Sequence, residues 1–144
     1  MIWEQHPEPD RWRGDVFRRF FAKAIASGGA LVAIDRADGS VIGSSRYHGY
    51  DPERSEVEIG WTFLARSHWG GAVNGEMKRL MLDHAFRSVE HVVFLIGPDN
   101  VRSRRSVEKL GAKLLPGKRL GAEGRVGVVY EISRSGASPR LNEK

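Results

Sequence analysis

Between Ser55 and Gly111 the chain reads SEVEIGWTFLARSHWGGAVNGEMKRLMLDHAFRSVEHVVFLIGPDNVRSRRSVEKLG, and this stretch limits the available folds more than any other. A strand pattern over Glu56–Leu64 leads through a glycine-rich turn, 67–74, into a helix pattern over 75–89. An unbroken apolar strand, 92–97, and a second helix closed by Gly111 follow. That βαβα order predicts two parallel strands, because a helical crossover returns the chain to the same edge of the sheet and packs on its face. After Trp69 the turn loses nearly all side-chain bulk in Gly70-Gly71-Ala72. It then enters a helix whose first-turn N–H groups lack intrahelical partners and lie at the positive end of the helix dipole. Such a place binds phosphate; glycines serving only as turn punctuation are the plainer alternative.

Two blocks within this stretch resemble the GNAT superfamily of acyl-CoA N-acyltransferases, and within it the RimJ/RimL branch. The first is Glu58-Ile59-Gly60-Trp61 followed by Trp69-Gly70-Gly71-Ala72, with Asn74 and Glu76 opening the helix. The second runs from Asn100-Val101-Arg102-Ser103 to Glu108-Lys109-Leu110-Gly111-Ala112. The resemblance implies a mixed α/β fold: a mostly antiparallel sheet with a central parallel strand pair and flanking helices, and acyl-CoA wedged where strands 56–64 and 92–97 part. It implies a cofactor site built from Phe63, Leu64, Trp69, Gly70, Gly71, Ala72, Asn74, Asn100, Ser103 and Arg105. Three positions depart from the family pattern. Ser67 stands where relatives open the turn with Gln or Arg, although Arg66 is adjacent, and Ala72 replaces the last glycine. Val107 takes the place of the tyrosine that many relatives use to protonate the leaving thiolate. Relatives also begin with a strand and a helix ahead of the segment that starts at Asp15. The first family strand is therefore expected to be missing, with a homodimer covering the open sheet edge.

The 144 residues suit one domain, 1–133, followed by a loose tail, 134–144, rich in Ser, Gly, Pro and charge. No apolar run approaches a membrane span and residues 1–11 are polar, so the expected compartment is the cytoplasm. With no cysteine there is no disulfide framework, thiolate nucleophile or Cys-based zinc site, and direct transfer between bound partners is simpler than a covalent acyl-enzyme. The five histidines, His6, His48, His68, His84 and His91, lack metal-ligand spacing, and no metal is expected. Ser106-Val107-Glu108-Lys109 fits the Ser-x-x-Lys pattern of serine acyl enzymes, but its companion motifs are absent. The formal charge of +5 favours an anionic partner. A phosphorylated cofactor and a nucleic acid both qualify, the latter through Arg102, Arg104, Arg105 and Lys109.

Elsewhere, Phe17, Phe20, Phe21, Ala24 and Ile25 have the three-four spacing of one buried helix face ending at Gly28-Gly29. Strands 30–36 and 41–50 form a hairpin about Asp38-Gly39, and 112–120 with 125–133 form a closing hairpin. Ser44, Arg46 and His48 alternate along the second strand and either line an acceptor cleft or face solvent. In Glu56–Leu64, strict alternation puts Val57, Ile59, Trp61 and Phe63 on one face and Glu58 and Thr62 on the other. In helix 75–89 the expected inward residues are Met77, Leu80, Met81, Ala85, Phe86 and Val89.

The function the resemblance implies is transfer of an acetyl group from acetyl-CoA to a primary amine, either a protein N-terminus or a small molecule. Glu58 is the expected base for the amine, with a structural carboxylate paired to Arg46 as its alternative. Ser103 is the nearest hydroxyl to serve as acid in place of the missing tyrosine. A non-catalytic acyl-CoA binding protein and a basic nucleic-acid binding protein are the rival readings.

Overall fold

The computed structural model describes residues 14–136. The expected missing first strand and most of the expected C-terminal tail lie outside the described residues. The elements are α1 (Gly14–Ser27), β1 (Ala30–Ile34), β2 (Val41–Asp51), β3 (Glu56–Leu64), α2 (Val73–Ala85), β4 (His91–Ile96), α3 (Val101–Lys109), β5 (Lys113–Leu120) and β6 (Val126–Ser133). The six strands form one sheet in the order β1-β2-β3-β4-β6-β5. Among the described residues only β3 and β4 run parallel, as the crossover through α2 requires. The mixed sheet with one parallel pair at its centre is the expected architecture.

Most of the core lies on the sheet face covered by α2 and α3. Val57 and Ile59 of β3 and Val92, Phe94 and Ile96 of β4 pack with Met81, Leu82 and Ala85 of α2, Val107 of α3 and Tyr130 of β6. Val93 points the other way and is also buried, which explains why β4 reads as continuously apolar. The opposite face carries α1 more thinly. Phe20 and Ala24 are buried, but Phe17, Phe21 and Ile25 remain 41, 56 and 65% exposed. The periodicity located the apolar stripe correctly and overestimated how much of it meets the sheet.

Two further expectations are corrected. In α2 the buried row is Lys78, Met81, Leu82 and Ala85, continued by Val89 beyond the helix, while Leu80 is 57% exposed. The row at 78, 81, 82, 85 and 89 has good helical spacing. It escapes a pattern search because its first member is a lysine. In β3 the alternation breaks: between the pairs Ser44↔Phe63 and Arg46↔Gly60 the β3 side holds an extra residue, and Trp61 has φ 52°. This β-bulge turns the chain over. Trp61 consequently shares the α1 face with Glu58, and Thr62 moves to the α2 face with Ile59.

Close backbone approach fixes the pairing beside the bulge. A Cβ on Gly43 would lie 2.3 Å from the carbonyl oxygen of Phe63 and against Leu64. Gly43→Ala is expected to force β2 from β3 and destabilise the fold by about 1–3 kcal/mol, the usual cost of overpacking. Urea unfolding should show a lower midpoint at unchanged slope; an unchanged midpoint would contradict the close approach.

Candidate functional site

β3 and β4 pair through Glu56↔His91, Val57↔Val92 and Glu58↔Val93. Beyond these residues they separate, β3 continuing to Leu64 against β2 and β4 to Ile96 against β6. The bulge at Trp61 bends β3 away, which opens a gap in the sheet at the carboxyl ends of two parallel strands. Such ends, where neighbouring connections diverge, are the usual ligand crevice of open α/β sheets.

The chain leaving β3 builds one wall of this gap. Trp69 donates its indole N–H to the carbonyl of Leu64 at 2.8 Å, tying the turn to the strand end. The guanidinium groups of Arg102 and Arg66 lie 4.2 and 5.3 Å from the Trp69 ring centre, so two cations stand at the turn. Gly70 has φ +75°, which an L side chain adopts only with strain, and no neighbour comes within 4 Å of a Cβ built there or on Gly71. Helix α2 then begins behind Ala72, its N-cap residue, with no side-chain cap hydrogen bond. By contrast, Asn100 caps α3 by accepting the N–H of Ser103 at 3.2 Å. An open glycine turn, an N-terminus without a side-chain cap and two flanking arginines fit a pyrophosphate.

The remaining expected cofactor residues divide by position. Leu64 is buried at the end of β3, and Phe63 packs edge-on against Phe20 of α1 at 6.3 Å. Asn74 donates to the Ser106 hydroxyl at 2.6 Å, so its amide ties the start of α2 to α3. Asn100 and Ser103 sit together in the cap of α3, and Arg105 is exposed on the same helix. Val107 is buried in the core, leaving no hydroxyl at the position of the family tyrosine. Arg104 is turned inward, donating to the Pro98 carbonyl at 2.8 Å and the Tyr130 hydroxyl at 3.0 Å. The cations proposed to meet nucleic acid therefore do not form one continuous stripe.

On the α1 face, Glu58 accepts from Arg125 at 3.2 Å. Among the described residues the ion pair of this carboxylate is with Arg125 rather than Arg46. Burial raises the Glu58 pKa, and the Arg125 charge pulls against that rise. The Trp61 ring lies against both cations, with Arg125 at 4.4 Å and Arg46 at 4.5 Å, and His48 meets it edge-on at 5.1 Å. Such contacts offset the unfavourable φ of a bulky residue. Phe20, Trp61, Arg19, Lys23, Arg46 and Glu123 line a pocket on this face, with Lys23 and Glu123 paired at 2.9 Å. Of the residues that alternate along β2, Arg46 lines this pocket, and His48 touches the Trp61 ring.

On the α2 face lies a residue absent from the sequence-derived site. Lys78 is only 5% exposed, and its Nζ donates to the Thr62 hydroxyl. The Phe94 ring centre is 5.8 Å from Nζ, and Thr62 hydrogen-bonds Ser45 at 2.8 Å. Thr62 and Phe94 belong to β3 and β4 beyond their last shared pair, so the Lys78 amine spans the gap. Burial alone lowers its pKa from 10.5 to about 7. Among the described residues no group of three or more His, Asp or Glu is placed to hold a metal, and no helix is long and apolar enough to cross a membrane.

Residues 1–113 match the family model of the acetyltransferase (GNAT) domain. No curated protein gives a significant match. Among solved structures, a T. thermophilus protein, itself classed provisionally as an acetyltransferase, is 30% identical with a TM-score of 0.68. That match covers 89% of this chain and 73% of the other. A GCN5-related N-acetyltransferase from Brucella melitensis has 21% identity and a TM-score of 0.74, over 88% of this chain and 61% of that one. Mycobacterium smegmatis RimJ, solved in complex with CoA-disulfide, has 19% identity and a TM-score of 0.65, over 93% and 70%. The last two likenesses are of fold. The family match spans the parted strands, the glycine turn, α2 and α3, and with it the chain belongs to the acetyltransferase (GNAT) domain family.

Proposed function

We propose that the protein is an N-acetyltransferase that moves an acetyl group from acetyl-CoA to a primary amine, on a protein N-terminus or a small molecule, and that it falls in the RimJ/RimL-like branch. The observation that carries this reading is the gap between β3 and β4, opening beside a glycine turn and the start of α2. Gly70, Gly71, Ala72 and the first turn of α2 hold the pyrophosphate, with Trp69, Arg102 and Arg105 beside it. Phe63, Leu64 and Asn100 flank the arm that carries the thioester, and Ser103 is a candidate proton donor to the thiolate. The pocket between α1 and Trp61 receives the acceptor, placing Glu58 on the amine side of the gap. A pKa raised by burial makes Glu58 a stronger base toward the amine's proton than an exposed carboxylate. Most of the rate enhancement then comes from positioning and main-chain N–H groups. A cytoplasmic setting belongs to the same reading.

An acceptor screen that follows free CoA thiol tests the activity, and a chain without cysteine contributes no thiol background. Saturable acetyl-CoA binding without thiol release on any amine would favour a non-catalytic binding protein.

The cofactor site is tested most cleanly at Gly71, which has open space around it and no positive φ. Gly71→Glu is expected to fold normally and to weaken acetyl-CoA binding at least about tenfold, through charge repulsion at the pyrophosphate. Wild-type affinity by calorimetry would move the site elsewhere.

The base is tested with Glu58→Gln. A base acts when deprotonated, so the loss of turnover should be largest above the Glu58 titration and shrink below it, where the wild-type carboxyl is already protonated. A pH-independent ratio of the two rates would remove Glu58 from proton transfer.

A homodimer belongs to the proposal as well, through the α1 and β1 side of the molecule. Phe21, Ile25, Val32 and Ile34 are each more than half exposed there. Light scattering at about ten micromolar protein should give twice the monomer mass, as an interface of ordinary strength requires; a monomer mass would rule the dimer out.

A further inference from the structure

We propose that Lys78 is the acid of the transfer step: its Nζ, held by Thr62 in the gap between β3 and β4, passes a proton to the CoA sulfur as the thioester C–S bond breaks. The inference rests on the acetyl-CoA reading above, and it gives the proton donor's part, for which Ser103 is the motif-based candidate, to a residue that the family motifs do not include.

Burying an amine among apolar side chains is unfavourable unless a carboxylate accompanies it, and a leucine or methionine in this row of α2 would pack with Met81, Leu82 and Ala85 at no such penalty. Among the described residues no carboxylate accompanies Lys78. The groups facing it are Thr62 from β3, Phe94 from β4 and, one hydroxyl further, Ser45 from β2. Packing therefore gives no reason for a lysine, whereas its position does. Thr62 and Phe94 lie where the strands have parted, and the helix that carries Lys78 begins at the proposed pyrophosphate site.

The bulge gives the gap two chemically different sides. Glu58 lies on the α1 face and Lys78 on the α2 face. With its pKa pushed up the carboxylate is a better base, and with its pKa pushed down the amine is a better acid, than their exposed counterparts. The step balances with these two groups. The acceptor nitrogen bonds to the acetyl carbon, and the C–S electron pair goes to sulfur. Nζ–H supplies the proton that makes the free thiol, and Glu58 takes the proton released by the acylated nitrogen. Glu58 then loses its proton to solvent and Lys78 regains one. This places the acid on α2, in a chain whose α3 carries Val107 at the family tyrosine position.

Calorimetry of acetyl-CoA binding, in two buffers of different ionisation enthalpy at about pH 8, needs no acceptor. The cofactor's phosphates favour the ammonium form of a nearby lysine, so wild-type protein should take up protons on binding. Lys78→Met should bind with affinity within about threefold of wild type and lose that uptake. With an amine that the wild type acetylates, Lys78→Met should lower kcat about a hundredfold or more, with the deficit closing as pH rises past the Lys78 titration. Binding without proton uptake, or a folded Lys78→Met with the wild-type kcat and pH profile, would overturn the assignment while leaving the acetyltransferase reading standing. Failure of the wild type to bind acetyl-CoA would overturn both. Should Lys78→Met not fold, Thr62→Val retains the amine and removes its holder. A shifted descending limb in its kcat profile supports the role, and an unmoved limb overturns it.

Discussion

The structure depends on a pairing that is broken off. Among the described residues β3 and β4 are the only parallel neighbours, and they stay together for three residue pairs before β3 bends away at Trp61. A continuous sheet would have joined their backbones to the strand ends and left no entrance between the layers. The extra residue in β3 prevents this, and each strand continues with its outer neighbour, β2 or β6. Strand ends that do not pair with one another present main-chain groups to an extended ligand, as sheet edges do when they bind peptides. Here they are at the centre of the sheet, with a core on one side and a pocket on the other.

That opening is stabilised from both faces. On the α1 face, Arg125 links Glu58 to the Trp61 ring, while Arg119 reaches Glu56 at 2.8 Å and Glu123 reaches Lys23 of α1. The closing hairpin and the 3-10 turn beside it are thus fastened across β3 by charge and ring contacts. On the α2 face the Tyr47 hydroxyl donates to the Met81 carbonyl at 2.5 Å, joining β2 to α2 alongside the Lys78–Thr62 bond. Both helices that border the gap are also tied to each other, through Asn74 and Ser106. The gap therefore has fixed walls, and fixed walls are what catalysis by positioning requires.

The electrostatics follow from the same geometry. Glu58 has a nearby cation, yet burial still outweighs it; Lys78 has a hydroxyl and a ring, and burial acts on it unopposed. Exposed to water, each group would titrate near its ordinary value. Their placement on opposite faces comes from the bulge, which separates Glu58 from Thr62 although strict alternation would have put them together.

Local sequence determined the elements and their order. The glycine turn, the Asn100 cap, the apolar run of β4 and the two hairpins are all properties of residues near one another in the chain, and the parallel pair follows from the crossover. The motif residues Trp69, Gly70, Gly71, Asn100 and Ser103 could be read for the same reason. What only the tertiary structure decided is which way β3 faces after Gly60 and which row of α2 is inside. A bulge depends on the register with β2, where Gly43 meets Phe63 and Leu64 from the neighbouring strand. Lys78 is buried because Thr62 and Phe94, from two different strands, supply a place for its amine. Period-based reading assigns a lysine to solvent, and only a partner distant in sequence can reverse that assignment.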